Sequence, residues 1–325
     1  MQSVIDSHIL NDFFANRPTE SITDEDLEKL VEWKQFREFI KAESDLVIAD
    51  YNALNPEIFK LLTDGRGETK KPRAEKKINT HGGIISGDYS PSTFFCLVEP
   101  LVKNREKIKT NNGYLVGFED DYISKWTELS FRCRSTLIPI DKNNPDSLKS
   151  WDDFGLFLLP FTDVIICDAF ILSDVSLIKS NLLELWKRLD SFNPVKYNLL
   201  IVTNEGNPKM DIKKEFDKLN EYRIDNNLKA NLSLVFSSYI DKEHDRNIFM
   251  NYIRVKSGDS FNYFNSALKI ITKGTEIDIY PCSDPQKEKA TLSILKRVTN
   301  MIKNSSEEKS LSSYEGKIFN RLLID

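Results

Sequence analysis

The chain has 325 residues and a mass of 37.6 kDa, enough for one large domain or two small ones. Hydrophobic residues make up 40% and aromatic residues 11%, which fills a real core and excludes global disorder. Charged residues reach 29% but nearly cancel, to −5 at pH 7, so no whole-protein basic field exists and any nucleic-acid contact is confined to a local patch.

The opening "MQSVIDSHILNDFF" lacks a basic segment followed by an apolar run, so no signal peptide is expected. Residues 23 to 41 read as a helix: Thr23 and Asp26 give a capping signal, and Leu27, Leu30, Val31, Phe36, Phe39 and Ile40 recur at helical spacing. "DLVIADY" reads as a short buried strand, and "NPEIFKLLTDG" as a helix with Pro56 near its start and Gly65 after it. The clearest composition shift follows, "GRGETKKPRAEKKINTHGG", which concentrates Lys70, Lys71, Arg73, Lys76 and Lys77. It is expected to be a loop or linker over about 65–83, with a phosphate-contacting loop as the sharper alternative. Residues 1–85 are thus expected to form a smaller N-terminal helical region ending in a basic linker.

From about residue 90, "STFFCLVEPLVKN", "GYLVGF" and "RSTLIPID" read as strands or strand–helix borders. The next section is more regular. "DVIICDAFIL", "YNLLIVTNEG" and "ANLSLVFSSY" read as buried strands, separated by the amphipathic helices "SLIKSNLLELWKRLDSF" and "IKKEFDKLNEYRIDNN". That alternation predicts parallel strands with right-handed crossovers, hence an α/β domain over 86–290. Residues 247 to 256 and 275 to 281 look like further strands, and "PQKEKATLSILKRVTNMIKN" like a last helix. A Ser- and Glu-rich stretch then suggests a loose tail, so 291–325 is expected to be a C-terminal helix and tail.

Several chemistries have no signature here. No Walker-type loop, no GxGxxG after a strand, no HExxH and no paired Cys or His appear. Cys96, Cys133, Cys167 and Cys282 lie far apart, which disfavours a zinc site or disulfide framework and fits a reducing cytoplasm; no cofactor, metal or membrane association is expected. Ligands of α/β sheets gather beyond the carboxyl ends of the strands, where Asp168, Thr203, Asn204, Glu205 and the segment at His244 fall. An ordinary hydrogen-bonded turn explains "HDR" at 244–246 equally well, with Arg246 paired to Asp168 or Glu243.

The spacing His244-x-Arg246-x4-Asn251-x6-Gly258-x-Ser260-x-Asn262 resembles the phospholipase D superfamily pattern, His-x-Lys-x4-Asp followed by a Gly-Ser-x-Asn element. Arg246 stands for the lysine, Asn251 for the acid, and Asp259 splits the Gly-Ser step. "HDR", "IRVKSGDSFNYF" and "TEIDIY" look more like a degenerate branch of that family, including domains that follow microtubule-interacting domains and bacterial proteins of anti-phage or mobile-element type. The resemblance implies a mixed, largely parallel sheet flanked by helices, and a binding or assembly module with lost catalysis, as a homodimer or in a protein complex. Two alternatives stay open: a homodimeric phosphodiesterase or nuclease using His244, Arg246 and Asn251, and a structural subunit of a larger complex. Phosphate or nucleic acid would meet Lys70, Lys71, Arg73, Lys76, Arg246 and Ser260, with Asp168 and Gly258 supporting. The rings of Phe261, Tyr263 and Phe264 could stack on bases only if two of them are exposed.

Overall fold

A computed structural model describes residues 1–18, 23–64, 72–75, 84, 87–98, 105–132, 136–193, 195–206, 209–238, 246–272, 274–282, 288–305 and 312–323, without the side chains of 73–75 and 130–132. The chain divides into two compact units, Met1–Phe131 and Arg132–Cys282 continued by Gln286–Asp325. Both are α/β. The boundary expected near residue 85 therefore lies after residue 131.

The first unit contains β1 (Gln2–Asp6), α1 (Ser7–Ala15), α2 (Asp24–Glu38) with a π-helical turn at Phe39–Glu43, β2 (Asp45–Ala49), α3 (Pro56–Thr63), β3 (Arg73–Glu75), β4 (Thr93–Leu97), α4 (Arg105–Asn112), β5 (Leu115–Phe118) and α5 (Tyr122–Arg132). Its five strands run parallel in the order β3-β2-β1-β4-β5. Local signals set the helix starts: Asp6 accepts from the His8 amide, Thr23 from Asp26, and Asn55 from Glu57 with Pro56 behind it. The expectation of a helical N-terminal region is thus corrected. β1 is five residues long and passes straight into α1, so no turn residue separates strand from helix in the sequence. The basic linker is corrected in part as well. Arg73–Glu75 pairs with Val47–Ala49 as the edge strand β3, a position that tolerates charge where a central strand does not.

The second unit contains β6 (Thr136–Ile140), β7 (Asp163–Cys167), α6 (Val175–Ile178), α7 (Leu182–Phe192), β8 (Asn198–Asn204), α8 (Ile212–Asp225), β9 (Asn231–Ser237), β10 (Arg246–Phe249), β11 (Ile253–Ser257), β12 (Thr275–Pro281), α9 (Glu288–Asn304) and β13 (Ser312–Glu315). They form one sheet of eight strands, ordered β13-β9-β8-β7-β10-β11-β12-β6. β7, β8 and β9 are parallel, as the alternation of buried strands and amphipathic helices predicts. The sheet is mixed but not largely parallel, since five of its seven neighbouring pairs are antiparallel. The cause is the connection at 250–252, which is too short for a parallel crossover and folds β10 and β11 into a hairpin.

The expected loose tail is also corrected. β13 pairs with the outer edge of β9, and Leu322 enters the core formed by Ile165, Leu200, Val235 and α9 residues such as Ile294 and Val298. The turn after β13 needs glycine: Gly316 has φ +88°, and a Cβ there would lie 2.6 Å from the Leu232 carbonyl oxygen. Gly316→Ala is therefore expected to cost more than about 1 kcal/mol, read as a lower urea midpoint at unchanged slope.

Candidate functional site at the carboxyl end of β7

β10 runs antiparallel to β7 with Asn247 opposite Cys167, and β11 returns with Ser257 opposite Arg246. That register brings Arg246, the 257–261 segment and Asp168 to one end of the sheet. Asp168 is the hub. It is fully buried; one carboxylate oxygen accepts from the Phe170 amide at 2.9 Å, and the other from Ser260 Oγ at 2.7 Å and the Phe261 amide at 2.8 Å. Burial pushes its carboxyl above the usual range, while the three donors and the nearby Arg246 charge pull the other way. Arg246 is half-buried, with its guanidinium carbon 5.6 Å from the ring centroid of Phe170, itself 40% exposed. Gly258 lies at the end of β11, where a Cβ would come 3.3 Å from Thr275 Oγ1.

Asn251 does not join this group. It sits in the β10–β11 turn, fully buried, and its carboxamide oxygen accepts from the amides of Thr162 at 3.2 Å and Asp163 at 3.3 Å. Those amides open β7, whereas Asp168 follows its last residue, so the two ends lie roughly 16 Å apart along the strand. Asn251 as a third member of an active site is therefore corrected: the hairpin that brings Arg246 to one end carries Asn251 to the other. Ser260, expected to meet phosphate, donates its hydroxyl to Asp168.

Other predicted residues resolve plainly. Phe261, Tyr263 and Phe264 are buried, and Tyr263 stacks on Trp151 with centroids 5.6 Å apart, so this cluster is core. Burial pushes the Tyr263 phenol far up, and its hydroxyl donates to Ser257 Oγ. Asn204 fastens the end of β8, accepting from the Gly206 amide and donating to the Ser237 carbonyl. Among the described residues Cys96, Cys167 and Cys282 form no disulfide. His244, Lys70, Lys71 and Lys76 lie outside the described residues, and of Arg73 only the backbone is described.

No sequence motif marks a site in the first unit. Its strand order reverses between β1 and β4, the crevice position where parallel sheets hold ligands. Asp6 ends β1 there, its carboxyl raised chiefly by burial and slightly by Asp50. Among the described residues no group of three or more His, Cys, Asp or Glu could hold a metal ion, and no helix is long and apolar enough to cross a membrane. No protein-family model and no curated protein match the chain.

Proposed function

We propose that the second unit is a phospholipase D–like binding or assembly module that does not cut phosphodiesters. The observation that supports this most is the separation of Asn251 from Arg246. In the resembled family the basic residue binds phosphate and the acidic one orients a histidine. Here Asn251 anchors the opposite end of β7. The buried carboxylate of Asp168 also feels the Arg246 charge and competes with phosphate for it. The motif residues act as stitching: Asp168 ties the segment after β11 to the end of β7, and Arg246 braces Phe170 on the surface.

The test is hydrolysis of bis(p-nitrophenyl) phosphate and of a single-stranded oligonucleotide by the full chain, with and without chelator. Wild type and His244→Ala should both stay at the buffer rate. Hydrolysis that survives chelator and disappears in His244→Ala would overturn the proposal in favour of a metal-free phosphodiesterase.

A further inference from the structure

A wide cleft lies in the first unit. It measures about 1150 Å³ and is lined by α1, α2, the start of α3 and the turn before it. Its apolar floor is Phe14, Trp33, Leu54, Ile58 and Leu61, and Leu61 remains 45% exposed. Arg17, Lys34 and Arg37 border it. Among the described residues no carboxylate forms an ion pair with any of the three, although the chain as a whole is acidic at −5. The wall is pre-formed: Asn11 donates to the Ala53 carbonyl at 2.8 Å and accepts from the Asn55 amide at 2.9 Å, which pins α1 to the turn that starts α3.

We propose that this cleft docks an acidic amphipathic helix of a partner protein. Its volume exceeds the upper end of an ordinary small-molecule pocket, roughly 1,000 Å³. An apolar floor bordered by cations that have no ion pair among the described residues complements a helix with apolar residues on one face and carboxylates beside them. Lys34 and Arg37 are three positions apart on α2, so both project to the same side of that helix and meet carboxylates one turn apart. Nucleic acid fits less well. The Trp33 ring already stacks on Phe13 at 5.1 Å and carries the Arg17 guanidinium 5.6 Å from its centroid, so it is engaged as wall and not open as a base platform. Asp12 and Glu57 line the same cleft; a phosphodiester backbone repeats its charge at every nucleotide, whereas a helix can set a polar or basic side chain opposite them and keep its carboxylates for the cations.

The experiment pans a displayed library of helical peptides against the full chain. Enriched peptides are then measured against a Lys34→Glu/Arg37→Glu double variant and, separately, Leu61→Asp; circular dichroism confirms that each variant folds. Enriched sequences should carry apolar residues at i, i+3, i+4 and i+7 flanked by Asp and Glu. Their affinity should fall about tenfold in either variant, a loss of about 1.4 kcal/mol. Enrichment of basic peptides, no enrichment, or binding that neither variant weakens would overturn the proposal. So would a single-stranded oligonucleotide whose binding, unlike that of the peptides, is abolished by the charge reversal. Neither result bears on hydrolysis by the second unit, so the two proposals stand or fall separately.

Discussion

Replacing Arg321 by alanine is expected to destabilise the second unit by about 3–5 kcal/mol. The reason is what it leaves behind. Asp163 opens β7 with its side chain at 0% exposure. One carboxylate oxygen accepts from the Asn198 carboxamide at 2.9 Å and the Arg321 amide at 3.1 Å. The other accepts from Thr162 Oγ1 at 2.8 Å and Arg321 Nε at 3.1 Å. Arg321 also donates to Thr162 Oγ1, which closes the group. Truncation at Arg321 removes the only cation paired to Asp163 among the described residues and strands a buried carboxylate. The 21% exposure of Arg321 lets water reach the site, which sets the lower end of the range. Adding Asp163→Asn should recover part of the loss, because the residual cost is that of an unpaired charge. Tryptophans occur in both units, so amide exchange of the β7 residues Val164–Cys167 is the measurement that isolates this one. Protection unchanged to within 1 kcal/mol would mean that 312–323 is an ornament on the sheet and not part of it.

That outcome also bears on how the sequence encodes the fold. β7, β8 and β9 announce themselves because strands buried on both faces are apolar without interruption, and α7 and α8 because one helix face repeats. β13 is "SSYE", with no apolar run; it is a strand because the edge of β9 offers unpaired backbone and Asp163 offers a partner to Arg321. β3 hides in the same way among charged residues at the edge of the first sheet. Tertiary context makes both strands, and no local window contains it. The candidate site divides along the same line. Asp168, Arg246 and Ser260 were legible as neighbours because each adjoins the carboxyl end of a buried strand or the hairpin beside it. Asn251 was not, because a spacing of five residues on paper says nothing of which end of a sheet a hairpin delivers it to.

Asp168→Asn is expected to destabilise the second unit by about 2–3 kcal/mol at pH 7. Asp168 serves three donors, the Phe170 amide, the Phe261 amide and Ser260 Oγ. A carboxamide offers one oxygen to them and turns an NH2 toward at least one N–H, leaving a buried donor without an acceptor. Removing a buried charge offsets only part of this. The pH dependence fixes the sign independently. Burial raises the folded carboxyl above its unfolded value, so the folded state holds this proton more tightly. The stabilisation from protonated Asp168 is complete below the ordinary aspartate range and is lost as pH rises through the raised folded value. The asparagine variant lacks that term, so its deficit should grow as the pH is lowered through that window. A deficit that shrinks on acidification would mean the three donors and Arg246 outweigh burial and depress the carboxyl. Ser260→Ala tests the same hub from the other side. If Ser260 stitches the segment after β11 to β7, a double-mutant cycle with Asp168→Asn should show coupling of about 1 kcal/mol in stability. If Ser260 instead faces a phosphate ligand, stability should be nearly additive and only ligand affinity should fall, and its role as a stitch would give way to that of a phosphate contact.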